Sequence, residues 1–261
     1  MNEKKRFSVI IPGYNVQNYV SKAIESVLNQ DFKDYELIFI DDCSTDKTSE
    51  IVSQYENVKL IRNAENMASG GARNVGLDVA NGEYIIFLDA DDYLYANDVL
   101  TKIDQLIGEQ TVDVVYMGFQ ISGNREELVI PTPETCTREY KAGGDVYPNV
   151  WSKCWNLDFL NKNQVRFVEK RYYEDVLFVY KAIMRVEKFL IADFPVHTYI
   201  SGRQNSMTTT LNLKNVYDTV DNIKDMLEIK MENDTPEINI RIQKEINMCK
   251  KRLEDIYQKI S

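Results

Sequence analysis

The sequence predicts an α/β protein: a mainly parallel sheet flanked by helices, followed by a C-terminal α-helical hairpin. Three observations predict it. Over residues 1–100, short apolar runs alternate with segments of helical periodicity, the pattern of parallel strands joined by right-handed crossovers. Tyr14, Asp42 and Asp89 each stand just past the end of such a run, where open α/β sheets bind ligands. From about Leu213 the apolar residues keep to helical spacing alone.

Phe7–Ile11 is the first strand, closed by Pro12-Gly13. Val16, Tyr19, Val20, Ala23, Ile24, Val27 and Leu28 then recur at helical spacing, which carries a helix to about Gln30. Tyr35–Ile40 is the second strand and ends in Asp41-Asp42. Ser44, Thr45 and Asp46 are capping residues that open a helix bearing Ile51, Val52 and Tyr55. Val58–Ile61 is the third strand. Asn63–Gly71 reads as a polar, glycine-ending loop and Ala72–Ala80 as a helix. Tyr84–Leu88 is an apolar run rich in β-branched and aromatic residues, hence a buried strand.

Val99–Ile107 reads as a helix and Val112–Phe119 as a strand. Ser122–Pro148 reads as hairpin and loop. A helix follows Arg171-Tyr172-Tyr173-Glu174-Asp175, and Phe189–Ala192 and Val196–Ile200 are two short strands. Leu213, Val216, Tyr217, Val220, Ile223 and Leu227 mark an amphipathic helix. After a break at Asn233–Pro236, Ile242, Ile246, Cys249, Leu253, Ile256 and Ile260 form a seam spaced by fours and threes. This seam calls for burial, with Ile246, Leu253 and Ile256 covered by the main α/β domain or by a second copy of the chain. A membrane surface is the weaker alternative, because the polar face mixes Lys and Arg with Glu and Asp.

Composition narrows the function classes. The chain has 261 residues, 44% of them hydrophobic, enough for one large domain with an appendage. A formal net charge of −10 disfavours nucleic-acid binding. Cys43, Cys136, Cys154 and Cys249 stand apart with no CxxC pair, which suits a reducing compartment and argues against zinc. With His197 as its single histidine, the chain leaves little room for a Ser-His-Asp hydrolase. No run approaches the ~18–20 apolar residues of a membrane-spanning helix.

The densest chemical signal is Asp89-Ala90-Asp91-Asp92, directly after the Tyr84–Leu88 strand. Carboxylates stacked at a strand end repel and raise one another's pKa. A divalent cation removes that penalty, and Mg²⁺ or Mn²⁺ takes one or two carboxylates together with substrate phosphate oxygens. An isolated acidic pair would more simply cap the next helix.

SVIIPGYNVQNYVSKAIESVLNQ, ELIFIDDCSTDKTSEI and GGARNVGLDVANGEYIIFLDADD, followed by NVWSKCWNLDFL and YYEDVLFVYKAI, resemble the family 2 glycosyltransferases with the GT-A fold. The resemblance runs continuously over about residues 7–100 and resumes in the last two blocks. It implies a nucleoside-diphosphate sugar, a divalent metal (Mn²⁺ or Mg²⁺) and inversion at the sugar carbon. It places Pro12 and Tyr14 at the base and ribose, and Asp42 against the imino N–H of a uracil or thymine ring, unless Asp42 caps the following helix. Arg73 would approach the donor or stand as a surface helix arginine. Asp89 would touch ribose or metal, and Asp91 would be the firmer metal ligand, with Asp92 structural. Asp175 would be the catalytic base, with Glu174 orienting the site or contacting the acceptor. Trp151 resembles an aromatic near the acceptor and equally a core residue.

The resemblance breaks down after residue 195, where HTYISGRQNSMT retains Arg203 and Ser206 and His197 reads as structural rather than metal-binding. The domains it implies are residues 1–211, catalytic (1–100 for the nucleotide sugar, 101–211 for the acceptor), and 212–261, a helical extension. The expected activity is transfer of a sugar, UDP-linked by preference, to a glycan or lipid-linked acceptor in cell-surface polysaccharide synthesis. It would take place in the cytoplasm or at the inner membrane face, with peripheral membrane association or homodimerisation through the C-terminal helices as further expectations. The rivals are a non-catalytic nucleotide- or glycan-binding protein on the same fold and a nucleotidyltransferase.

Overall fold

The structure is a computed structural model that describes residues 4–132, 149–202, 213–232 and 236–260. Arg203, Ser206 and most of the segment leading to Pro148 lie outside the described residues.

Strands β1 (Lys5–Gly13), β2 (Tyr35–Asp41), β3 (Val58–Arg62) and β4 (Gly82–Phe87) form the parallel half of one sheet, in the order β3-β2-β1-β4. Beyond β4 the order continues β8 (Lys153–Asn156), β6 (Val114–Gly123), β9 (Phe189–Ser201) and the two-residue β5 (Tyr93–Leu94), with β7 (Glu127–Val129) paired to β6 as a hairpin. β8 runs antiparallel to both β4 and β6. All the strand ends in the parallel half therefore open on one edge.

Alternate residues of each strand face opposite sides, and the sheet accordingly carries two cores. Val9, Ile11, Leu37, Phe39 and Ile86 face α1 (Val20–Leu28) and α4 (Val99–Ile107). Ile10, Ile38, Ile40, Ile85 and Phe87 face α3 (Ala68–Val79), α5 (Leu157–Lys162) and α6 (Glu174–Ile183). The short helix α2 (Thr48–Val52) closes the first layer through Val52.

Five sequence expectations are corrected. The first helix starts at Val20, because Val16 is held outside it by the Thr48 hydroxyl. Gly70 and Gly71 belong to α3, not to a loop. A Cβ on Gly70 would sit 2.5 Å from the Val168 carbonyl oxygen, and one on Gly71 would sit 2.4 Å from Met67 Cβ. These glycines let the helix approach the 167–169 segment. Phe189–Ser201 is one strand carrying register shifts opposite Gly118, so its irregular middle reads from sequence as two strands. The strand β8 and the helix α5 lie in a stretch given no element from sequence. Asn156 ends β8 and caps α5 by accepting the Phe159 N–H.

The fifth correction concerns the C-terminal seam. Helices α7 (Leu213–Glu232) and α8 (Pro236–Ile260) pack together as a hairpin, and Met226 and Ile242 bury against Val176, Leu177 and Tyr180 of α6. Ile246 packs at the margin of this cluster, but Leu253 is 45% exposed. The inward face of α8 runs through Ile242, Glu245 and Cys249 to Arg252, whose guanidinium lies 3.7 Å from the centre of the Tyr173 ring and also reaches Thr219. Arg252 takes the inward place that the heptad pattern gives to Leu253.

Candidate active site

Three loops meet at the open strand edge. Gly13 ends β1, and a Cβ there would lie 2.3 Å from the Phe39 ring, so glycine is needed for the close pass of β1 over β2. The Asn15 side chain then accepts the Thr45 N–H at 2.8 Å, while the Asn15 N–H donates to the Ser44 hydroxyl at 3.0 Å. Asn15 itself sits in the left-handed region at φ 52. These bonds tie the β1 and β2 loops together. After β2, the buried Asp42 carboxylate accepts from Asn63 Nδ2 at 2.8 Å and from the Met67 N–H at 2.9 Å. Asp42 thus fixes the chain that enters α3.

Between these loops lies a cavity of about 380 Å³, within the range of small-molecule sites. Pro12, Gly13, Tyr14 and Asp42 form one wall, and Asn66, Ala68, Ser69 and Ala72 another. Lys170, Arg171, Tyr172 and Lys214 form the third. Of the expected nucleotide residues, Pro12, Tyr14 and Asp42 all line the cavity. The Lys170–Tyr172 wall and Lys214 were not singled out from sequence, although Arg171 and Tyr172 directly precede the Glu174-Asp175 pair.

Next to the cavity, α3 carries Arg73 into an acidic cluster. Arg73 is no surface residue. Its Nη1 donates to Glu174 at 2.5 Å and its Nη2 to Asp89 at 2.7 Å, while Nε is buried without a hydrogen-bond partner among the described residues. Burial opposes the guanidinium charge, but Asp89, Glu174 and Asp175 overcome it and hold Arg73 above its ordinary pKa. Asp175 lies beside Glu174 in the first turn of α6, and its own carboxylate accepts the Val176 N–H at 2.9 Å. Burial pushes the Asp175 carboxyl up, the Glu174 charge adds to the rise and Arg73 opposes it, so that it titrates at about 7. A carboxyl raised in this way can take a proton near neutrality.

The Asp89–Asp92 turn divides into two parts. Asp92 is buried and accepts from the Ile200 N–H at 2.8 Å, and it pairs with His197 Nε2 at 3.0 Å. Burial raises the Asp92 carboxyl, with the His197 contact opposing. His197 stacks on Trp151 at 4.5 Å, and Trp151 packs in turn on Tyr199 and Phe119. Asp92 and His197 are therefore a buried pair, and Trp151 is a buried aromatic packed against it.

The described residues hold no group of three or more His, Cys, Asp or Glu disposed to bind a metal. Asp89, which also accepts from Arg73, and Asp91 stand just after β4. That donor set fits a hard cation bound jointly with diphosphate oxygens and does not fit a resident ion caged by protein alone.

Residues 8–169 match the model of the glycosyl transferase family 2. The chain is 29% identical over 210 residues to the poly(ribitol-phosphate) beta-N-acetylglucosaminyltransferase TarS of Staphylococcus aureus, which covers 76% of this chain but 36% of that protein. It is 38% identical over 125 residues to the UDP-Glc:alpha-D-GlcNAc-diphosphoundecaprenol beta-1,3-glucosyltransferase WfaP of Escherichia coli, covering 47% of this chain and 48% of the relative. The chain thus spans between a third and a half of these relatives. The crystal structure of S. aureus TarS 1–349 in complex with UDP-GlcNAc superposes with a TM-score of 0.71 at 25% identity, over 85% of this chain and 66% of that one. The curled α/β sheet has the GT-A architecture expected from the sequence. With more than half of its length inside the family match, and the strand-end loops and acidic cluster inside or directly after it, the chain belongs to glycosyl transferase family 2.

Proposed function

We propose that this protein transfers a sugar from a UDP-sugar to a hydroxyl of a glycan or lipid-linked acceptor, with inversion at the sugar carbon, in cell-surface polysaccharide assembly. The observation that carries the reading is the largely buried cluster on α3 and α6, whose near neighbours in sequence, Ala72 and Tyr172, line the cavity. Arg73 joins Asp89 of the donor half to Glu174, next to an Asp175 that titrates at about 7. Two similar proteins support the substrate classes: the TarS structure holds UDP-GlcNAc, and WfaP is a UDP-Glc:alpha-D-GlcNAc-diphosphoundecaprenol glucosyltransferase.

In this reading Pro12, Tyr14 and Asp42 hold the base and ribose. Asp89 and Asp91 face the diphosphate. Mg²⁺ or Mn²⁺ bound there with the donor would neutralise the charge growing on the leaving diphosphate. Arg73 holds Asp89 and Glu174 in place. Asp175 accepts the proton of the attacking hydroxyl as the new glycosidic bond forms and the bond to the diphosphate breaks. Glu174 is committed to Arg73 and orients the site. Residues 1–211 would form the catalytic domain and 212–261 a helical extension. No helix among the described residues is long and apolar enough to cross a membrane.

The test is product analysis with UDP-glucose and UDP-N-acetylglucosamine, with and without Mn²⁺. Sugar transfer releases UDP and gives a product of inverted anomeric configuration by NMR. Release of the sugar 1-phosphate or of UMP, or retained configuration, would overturn the reading.

A further inference from the structure

One face of α7 is unusual for a surface helix. Asn215, Asp218, Thr219 and Asn222 recur at spacings of three, one and three, and all are buried, Asn222 to 1% exposure. Buried polar side chains are the informative exception in a folded chain. Most of these side chains bond to one short segment, residues 170–173, that leads directly into Glu174 and Asp175.

The bonds follow the segment residue by residue. Lys214 Nζ donates to the Lys170 carbonyl at 2.9 Å. Arg171 donates to Asp225 at 2.5 Å and to the Asn222 side-chain oxygen at 3.1 Å. The Tyr172 N–H donates to Asp218 at 2.7 Å. Asn222 Nδ2 donates to the Tyr173 carbonyl at 3.1 Å and to the Tyr172 carbonyl at 3.4 Å. On the opposite side the Lys170 N–H donates to the Met67 carbonyl at 3.0 Å, at the start of α3. Lys170 and Tyr173 both hold left-handed backbone, at φ 55 and φ 58, a conformation that costs free energy for residues other than glycine and persists where its surroundings enforce it. Tyr173 is the residue immediately before α6, and its own side chain does not cap that helix start.

We infer that α7 is a positioning element for the reaction, in which Asp218 and Asn222 hold the 170–173 backbone so that α6 presents the Asp175 carboxylate to the acceptor. The inference rests on the reading of Asp175 as the base. It gives the C-terminal hairpin a catalytic purpose that its apolar packing on α6 does not supply. The same clamp sets the Lys170–Tyr172 wall of the cavity, so both halves of the site depend on it.

The experiment uses the full chain and two readouts. The first is the steady-state rate of UDP release from UDP-N-acetylglucosamine or UDP-glucose. The second is amide hydrogen exchange over residues 170–176, which reports local opening separately from global unfolding. Asn222→Ala and Asp218→Ala should raise exchange in this peptide while exchange in β1 and β4 stays unchanged. Each should lower kcat by about tenfold to a hundredfold, the scale of a misplaced catalytic group. Asp218→Asn keeps an acceptor for the Tyr172 N–H and should recover most of the loss.

Asn222→Ala placed in an Asp175→Asn background should cost little more, because a residue that acts through the base has nothing left to position. Additive losses, wild-type kcat in both alanine variants, or faster exchange throughout the chain would overturn the inference. If Asp175→Asn alone releases UDP at the wild-type rate, the base reading has failed, and unchanged exchange at 170–176 in the alanine variants would separately remove the clamp.

Discussion

Replacing Asp175 by asparagine should make the protein less active and more stable. The carboxyl's ordinary pKa is 3.8, and in the fold burial and the Glu174 charge raise it to about 7, against the pull of Arg73. A raised carboxyl binds its proton more tightly in the native state than in the unfolded chain. Below the ordinary value both states are protonated, and Asp175 contributes no pH dependence. Between 3.8 and about 7 the native state holds the extra proton, so stability falls as pH rises. Above about 7 the full cost of a buried charge is present. The gap, at about 1.4 kcal/mol per pH unit, corresponds to roughly 4 kcal/mol as an upper bound.

Asparagine has the same shape, carries no charge and keeps an oxygen to accept the Val176 N–H. Its stabilising effect should therefore appear at pH 8 and be absent near pH 4. For a chain of this size each 1 kcal/mol moves Tm by about 2–4 °C. Thermal unfolding of wild type and Asp175→Asn across pH 4–8 measures the effect, with donor turnover measured on the same samples. Turnover should fall by about 10²–10⁴, the usual worth of a general base, and wild-type kcat should itself decline as pH drops through about 7. A variant that is equally or less stable at pH 8, or a Tm difference that does not change with pH, would refute the assignment of a raised Asp175 carboxyl.

Arg73→Met should leave Asp89 and Glu174 facing each other without their shared cation. Breaking such a buried pair costs about 3–5 kcal/mol, readable as a lower denaturation midpoint, with loss of turnover. Asp91→Ala, or chelation of the wild type, should weaken UDP binding in calorimetry and abolish turnover while leaving the circular dichroism spectrum unchanged. Unaltered metal-independent turnover would remove the cation from the mechanism. Gly70→Ala should destabilise the protein by about 1–3 kcal/mol through overpacking, since its methyl group meets the Val168 carbonyl. A neutral effect in urea unfolding would mean that the 167–169 segment yields easily.

The parallel half of the sheet is legible in the sequence because its causes are local. Leu37–Ile40 and Tyr84–Leu88 are buried on both faces and so read as continuous apolar runs. Tyr14, Asp42 and Asp89, just past the strand ends, point to the ligand edge through the geometry of parallel sheets, and Tyr14 and Asp42 line one cavity with Pro12, a residue that only the family resemblance points to. The helix Val99–Ile107 follows from periodicity alone.

What the sequence leaves open depends on partners far along the chain. Arg73 reads as a donor contact or a surface side chain until α6 brings Glu174, 101 residues away, into reach of its guanidinium. Gly70 and Gly71 look like a loop ending because nothing in their neighbourhood announces the Val168 carbonyl that forbids a side chain. The a/d seam of α8 gives Leu253 an inward place on apolar spacing alone, whereas Arg252 occupies it by stacking on Tyr173 and bonding Thr219. Asn215, Asp218 and Asn222 are ordinary polar residues on a helix until the 170–173 segment lies against them, through the Tyr173 hydroxyl for Asn215 and through the backbone for the other two. Periodicity records which side of an element is buried. The identity of the group that meets it, and hence the pKa of Asp175 and the placement of the site, is settled by tertiary packing.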